Sequence, residues 1–311
     1  MGFDLEALRD AVTKHGRVAR VVIADVKGSS PRETGAAMLV WENGQSGSIG
    51  GGALEFELAK RALQVSETKL SSHALGPELG QCCGGAVQIL TEVFDARNLP
   101  VSQDGVFVRG VNALGVMPLS VSRLLTKARS AGVSPETQLI NGWFVEPVAV
   151  PTRQLWIWGA GHVGRAMVDA YSPLPEFAIT WVDTSMSRFP ESPPSGVSCV
   201  SAPDPSQLVK HAPSASEHLI LTYSHALDLE LCHHLLKRGF AFAGLIGSKS
   251  KWARFRTRLA ALGHSSEQIL RITCPIGDPS LGKHPQAIAI SVGASLLACP
   301  DALAQTQRTT A

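Results

Sequence analysis

The residues of this chain best suited to soft-metal or sulfur chemistry are two adjacent cysteines in a glycine loop, Gly80-Gln81-Cys82-Cys83-Gly84-Gly85. A thiol in an open loop is accessible, and its thiolate is a soft ligand. Adjacent cysteines bridge each other only with strain, and no CxxC pair or zinc-type histidine spacing accompanies them, so a structural zinc site is not indicated. The other cysteines, Cys199, Cys232, Cys274 and Cys299, stand alone in apolar or loop contexts and read as small buried hydrophobes.

A second chemistry is written in Gly159-Ala160-Gly161-His162-Val163-Gly164, which follows the apolar run Leu155-Trp156-Ile157-Trp158 and opens a helical segment. This is the Rossmann fingerprint in its required context. Gly159 permits the tight turn, Gly161 lets a pyrophosphate approach the backbone, and Gly164 lets the helix pack on the strand. Asp183 ends the next apolar run, Ile179-Thr180-Trp181-Val182, where a carboxylate can bind ribose hydroxyls, which favours NAD over NADP; Arg188 lies close by.

Two further stretches could hold an anion. Gly50-Gly51-Gly52 precedes a helical segment from Ala53 to Val65 and offers backbone N–H groups at its start. Ser248 and Lys249, at the head of a segment that also carries Lys251, Arg254, Arg256 and Arg258, are phosphate candidates; Arg254 and Arg258 share one side and read as solvent or partner contacts. Ser224-His225 and Asp228 follow a strand, where parallel sheets place ligands, making His225 a candidate lining residue. No G-x-S-x-G elbow points to nucleophilic hydrolysis.

These residues need two kinds of scaffold. The first half is built of short β-branched runs broken by glycine loops: a helix at 4–15, strands at 17–27, 36–41, 45–49 and 86–94, and a helix at 120–131. Asn43-Gly44 is expected to form a type I′ hairpin turn. The second half alternates strands at 154–158, 177–182, 197–200, 218–223 and 240–246 with helices at 162–172, 205–211, 226–238, 250–262 and 284–299. The expected fold class is therefore α/β, an N-terminal mixed α/β domain (1–150) followed by a Rossmann-like, doubly wound parallel sheet (151–300) and a flexible tail (301–311). With 311 residues, 44% hydrophobic and 17% charged, the chain has ample core material, and a net charge of +2 gives no reason to expect nucleic acid or an anionic membrane. The beginning of the chain shows no signal pattern and no apolar run is long enough to span a bilayer, so a cytoplasmic location is expected.

Taken together, the motifs resemble the XdhC/CoxI family, the molybdenum-cofactor chaperones of xanthine dehydrogenase and related hydroxylases. The matching residues are Gly28-Ser29-Ser30-Pro31-Arg32, Gly35-Ala36-Ala37-Met38, Gly47-Ser48-Ile49-Gly50-Gly51-Gly52 with Leu54-Glu55, and Leu79 to Gly85. In the second half they are Trp158 to Gly164, Ser224-His225-Ala226-Leu227-Asp228, Leu245-Ile246-Gly247-Ser248-Lys249 and Cys274-Pro275-Ile276-Gly277. The resemblance implies a carrier rather than a catalyst. It would bind Mo-molybdopterin as cargo, clasped between the two domains, hold it while a cysteine desulfurase installs the sulfido ligand, and insert it into the molybdenum-binding subunit of apo xanthine dehydrogenase. Cofactor biosynthesis proteins are the implied donors, and a homodimer is expected. In this reading Cys83 is the first choice for the metal-facing thiol and Cys82 the second, with Gly84 beside them. Gly50, Gly51 and Gly52, or Gly159, Gly161, His162 and Gly164, would take the terminal phosphate, and Asp183, His225, Ser248 and Lys249 would line the site. The competing expectation is an NAD(P)-dependent oxidoreductase that uses the glycine fingerprint and Asp183 for the nucleotide and His225 as acid-base group.

Overall fold

The computed structural model describes residues 2–75, 84–102, 104–111 and 116–298. The chain divides into two compact units, Met1–Val150 and Pro151–Ala311.

Unit 1 begins with α1 (Leu5–His15), capped by the Asp4 carboxylate on the Ala7 N–H at 2.8 Å, and continues through β1 (Val18–Lys27), β2 (Ala37–Trp41) and β3 (Gly44–Gly47). Helix α2 (Gly52–Ala62) leads to β4 (Lys69–Ala74) and β5 (Ala86–Phe94). The five strands form an antiparallel sheet in the order β3-β2-β1-β5-β4, in which the β-branched run of β1 is central and almost wholly buried. Leu54, Leu58 and Ala62, spaced along one face of α2, pack on Val21, Ile23, Val87 and Ile89. A smaller sheet follows, β6 (Val106–Gly110), α3 (Leu119–Ala131), β7 (Gln138–Ile140) and β8 (Trp143–Pro147), in the order β6-β8-β7.

The expected turn at Asn43-Gly44 is displaced by one residue. Trp41 pairs with Gly44, so the loop residues are Glu42 and Asn43, and neither has a positive φ. Gly44 lies under the Trp41 indole, whose Nε1 would stand 3.0 Å from a Cβ placed there. The turn with the I′ signature is Asn141-Gly142, with φ of 50° and 78°, between the paired Ile140 and Trp143. Strand β4, polar and half exposed at the sheet edge, is not anticipated by the sequence.

Unit 2 contains β9 (Arg153–Trp158), α4 (His162–Tyr171), β10 (Phe177–Asp183), β11 (Ser198–Ser201), β12 (Glu217–Ile220), α5 (His225–Arg238), β13 (Phe242–Leu245), α6 (Lys249–Ala261), α7 (Ser266–Leu270), β14 (Ile272–Thr273) and α8 (Pro285–Ala298). The sheet is parallel throughout, in the order β11-β10-β9-β12-β13-β14, which is the doubly wound 3-2-1-4-5-6 arrangement. Helices α4 and α8 cover one face through Met167, Tyr171, Ala289, Val292 and Leu296, while α5, α6 and α7 cover the other through Leu231, Leu235, Phe255, Leu259 and Ile269. The expected helix at 205–211 is a 3₁₀ turn, and the strand expected to reach residue 223 ends at Ile220, leaving Thr222-Tyr223-Ser224 free to form the loop that caps α5. Helix α7 and β14 were not anticipated. No helix of the described residues is long and apolar enough to cross a membrane.

Candidate functional site

In unit 2 the candidate residues lie at the carboxyl ends of β9, β10, β12 and β13, on either side of the point between β9 and β12 where the strand order reverses. The three fingerprint glycines have separable tasks. Gly159 adopts φ 122°, and a Cβ there would stand 2.5 Å from the Leu221 carbonyl oxygen; a Cβ on Gly164 would collide with the Gly159 carbonyl. These two positions therefore close the strand-loop-helix turn onto its neighbours. At Gly161, the N-cap of α4, a Cβ would meet nothing within 4 Å, and no side chain caps the helix. This is the place where the backbone is open to an approaching anion. His162 is exposed at the first position of the same helix.

Asp183 is placed next to this loop but not as a displayed carboxylate. It is 4% exposed; Oδ2 accepts the Ala160 N–H at 2.5 Å, and Oδ1 accepts the Thr184 N–H at 2.6 Å and its hydroxyl at 3.1 Å. Arg188 pairs with Oδ1 at 2.7 Å and its guanidinium lies over the Tyr223 ring. The carboxylate thus braces the glycine loop, and a ribose would have to compete with partners already in place.

On the other side of the switch point, Ser224 caps α5 by accepting the Leu227 N–H, and His225 is exposed in the first turn. Asp228 beneath it is fully buried. Its Oδ1 accepts the Thr222 N–H and hydroxyl at 3.1 and 2.7 Å, and Oδ2 accepts the Lys251 ammonium at 2.6 Å. Lys251 also donates to the Ile246 carbonyl at 2.9 Å, so it ties α5 to the β13–α6 loop. Ser248 caps α6 on the Lys251 N–H at 3.1 Å. His225, Ser248, Ser250, Lys251, Arg254 and Arg258 border an open depression of about 540 Å³; Lys249 is exposed outside that lining. The sequence assigns Arg254 and Arg258 to solvent or partner contacts, whereas both border this depression; the signal for them is the absence of any acidic residue in α6.

In unit 1, the Gly50 and Gly51 N–H groups of Gly50-Gly51-Gly52 are not the free donors expected. Glu55 turns back and its Oε2 accepts the Ser48 hydroxyl at 2.6 Å and the Ile49 and Gly51 N–H groups at 3.0 Å each, while the Gly50 N–H donates to Ser48 Oγ at 3.0 Å. Partial burial opposes ionisation of Glu55, but the hydroxyl and two N–H donors outweigh it and hold the carboxyl below its ordinary value. A carboxylate therefore fills the glycine cradle, and a phosphate there would meet like charge. The signal was present in the sequence as Glu55 within the first turn after the glycines.

Cys82 and Cys83 lie outside the described residues, as do Cys299 and residues 301–311. Gly84 and Gly85, which follow Cys83 in the chain, are described. Gly28, with φ 78°, meets Gly85 backbone to backbone, since a Cβ on Gly28 would stand 3.2 Å from Gly85 Cα and one on Gly85 would collide with the Ser29 carbonyl. A Cβ on Gly84 would meet nothing within 4 Å. The Ser30 hydroxyl is buried with no hydrogen-bond partner among the described residues, beside Pro31, Gly51 and Leu75. The remaining described thiols are poor nucleophiles. Burial pushes Cys274 up to about 11 and raises Cys232 further, and Cys199 is also raised by burial. Among the described residues no group of three or more His, Cys, Asp and Glu could hold a metal.

Fold and site together define a two-unit α/β protein with a Rossmann glycine loop at the switch point of its parallel sheet. The chain belongs to the XdhC and CoxI family: residues 11–73 match that family, and residues 155–296 match the XdhC Rossmann domain. It is 27% identical over 288 residues to the uncharacterized protein YqeB of Escherichia coli strain K12, a match that takes in 90% of this chain but spans only 43% of YqeB. Among solved structures it is similar to the crystal structure of a xanthine dehydrogenase from Bacillus halodurans, with a TM-score of 0.64 and 21% identity, covering 99% of this chain and 98% of the other. A short-chain dehydrogenase/reductase from Veillonella parvula in complex with NADP gives a TM-score of 0.32 at 10% identity over 48% of this chain and 89% of its own.

Proposed function

We propose that this chain serves xanthine dehydrogenase maturation as a carrier of Mo-molybdopterin, which it holds during sulfuration and inserts into the apo-enzyme. Membership of the XdhC and CoxI family carries this reading. The residues fit such a cargo chemically. Cys83, or Cys82 beside it, supplies the soft thiolate, and the buried Ser30 hydroxyl, without a partner among the described residues, offers a donor. The open N-terminus of α4 at Gly161 and His162 suits a terminal phosphate, in preference to the Gly50–Gly52 loop that Glu55 already fills. His225, Ser248 and Lys249 are the proposed polar contacts of the same cargo. When bound, the cofactor carries the molybdenum centre that the hydroxylase uses; the chain's own task is to bind, orient and shield it. A cysteine desulfurase, the biosynthesis machinery and the molybdenum-binding subunit are the proposed partners, with a homodimer as the proposed assembly.

The test is purification from a host that makes the cofactor, followed by denaturation and assay of the supernatant for oxidised-pterin fluorescence and molybdenum. The expected result is near-stoichiometric pterin from wild type and loss of both signals from Cys83→Ser. Tightly bound NAD(P) with no pterin or molybdenum would overturn the carrier reading and favour the oxidoreductase.

A further inference from the structure

The geometry points to a second anion site, on the α5–α6 side of unit 2, which takes a pyrophosphate group such as that of a nucleoside diphosphate. The site is the depression bordered by His225, Ser248, Lys251, Arg254 and Arg258, and it is distinct from the glycine loop. It shares His225 and Ser248 with the proposed cargo contacts, but it takes its anion on Arg254 and Arg258, which the cargo reading does not use, and so does not depend on molybdopterin being the cargo.

Charge is the first support. Helix α6 carries Lys249, Lys251, Arg254, Arg256 and Arg258 and no acidic residue, and its first turn, the positive end of the helix dipole, holds two of these cations. Among the described residues Lys251 alone of these has an ion-pair partner, buried Asp228. Among the described residues Arg254 and Arg258 have neither an ion-pair nor a hydrogen-bond partner, although they stand one helical turn apart and repel each other. Both residues border the cavity.

Shape is the second. At about 540 Å³ the depression has the volume of a small-ligand site rather than of a surface dimple. It is floored by buried Phe255 and reached by Ser248 and Ser250, and the first turns of both α5 and α6 contribute to its wall through His225 and Ser250. Two guanidinium groups a turn apart match two linked phosphoryl groups better than one, because each fork can take one phosphoryl group bidentately. Lys251, one of the lining residues, is already held by Asp228 and the Ile246 carbonyl, so Arg254 and Arg258 are the cations left to order on binding.

The experiment is calorimetric titration of the full chain with inorganic pyrophosphate, inorganic phosphate and ADP at low salt, comparing wild type, Arg254→Ser/Arg258→Ser and Arg256→Ser. Arg256 lies on the same helix outside the cavity lining and controls for bulk charge. Thermal unfolding of each variant verifies the fold. The expected result is saturable one-to-one binding of pyrophosphate and ADP, at least tenfold weaker for phosphate, with a loss of at least tenfold in the double variant and less than twofold in Arg256→Ser. No saturable binding by wild type, equal affinity in the folded double variant, or an equal loss in Arg256→Ser would each overturn the proposal. Binding of a single-stranded RNA oligonucleotide that pyrophosphate fails to displace would overturn it in favour of a nucleic-acid face. Pterin retention is read separately, so either proposal can fail alone.

Discussion

Gly159, Gly161 and Gly164 share one motif but answer to different forces. The first and third are required by close packing within the protein, and at the second an added Cβ would meet nothing within 4 Å among the described residues. Gly164→Ala should therefore cost roughly 1–3 kcal/mol, since the added methyl must push the Gly159 carbonyl away from its strand. Gly161→Ala should unfold within about 0.5 kcal/mol of wild type, because its φ of −76° is ordinary and its surroundings are open. Chemical denaturation of the two variants checks this, and equal destabilisation would show that Gly161 is also a packing residue. The glycines were legible because their spacing carries the geometry of the turn. The fates of Asp183 and Glu55 were not legible, because whether a carboxylate faces a ligand or its own backbone depends on donors a few ångström away. Ala160 and Thr184 claim the first, and Ile49 and Gly51 claim the second.

Among the elements, β12 shows how far a single buried side chain can tie stability to pH. His218 is fully buried in the sheet, with its Nδ1 accepting the Trp158 indole N–H at 3.2 Å and no partner for Nε2 among the described residues. Burial pushes its pKa down to about 3. Above pH ~6.5 the ring is neutral in both folded and unfolded chains and contributes no pH dependence. Below that value the unfolded chain takes up a proton that the folded one refuses, so stability is lost at up to about 1.4 kcal/mol per pH unit until the folded pKa is reached. Wild type should lose about 2 kcal/mol more than His218→Gln between pH 6.5 and 4.5, the glutamine carbonyl still serving the indole. Urea denaturation at both pH values measures the difference, and parallel losses would show that His218 is protonated inside the fold. The sequence displayed β12 as an apolar run, and the helices and strands around it by their 3.6- and 2-residue periods. It overextended the strand because Leu221 and Thr222 look strand-like, whereas Asp228 draws Thr222 into the α5 cap. It missed β14 and α7 because each is short, so its period is barely sampled, and β4 because Lys69-Leu70-Ser71-Ser72-His73-Ala74 contains no β-branched residue and no Phe, Tyr or Trp to mark it as a strand.

At the scale of the whole molecule, the second unit holds what a free-standing domain needs. Its two core clusters, one on each face of the sheet, are built from residues between Leu155 and Leu296. The amino-terminal end of the sheet is closed by Arg153, which binds Glu217 through two hydrogen bonds of 2.7 and 2.8 Å and reaches the Leu296 carbonyl at 3.1 Å. Tyr171 fastens α4 to α8 through the Ala289 carbonyl at 2.6 Å, and Gly293 leaves room for its ring. A parallel sheet covered on both faces by its own helices, in a segment of ordinary domain size, should be stable without further chain. A fragment of residues 151–298 should accordingly unfold in one cooperative thermal transition, with calorimetric and van't Hoff enthalpies equal. A broad, non-cooperative melt with retained helical signal would instead show that the sheet takes part of its packing from the first unit, and the glycine loop would then have to be studied only in the intact chain.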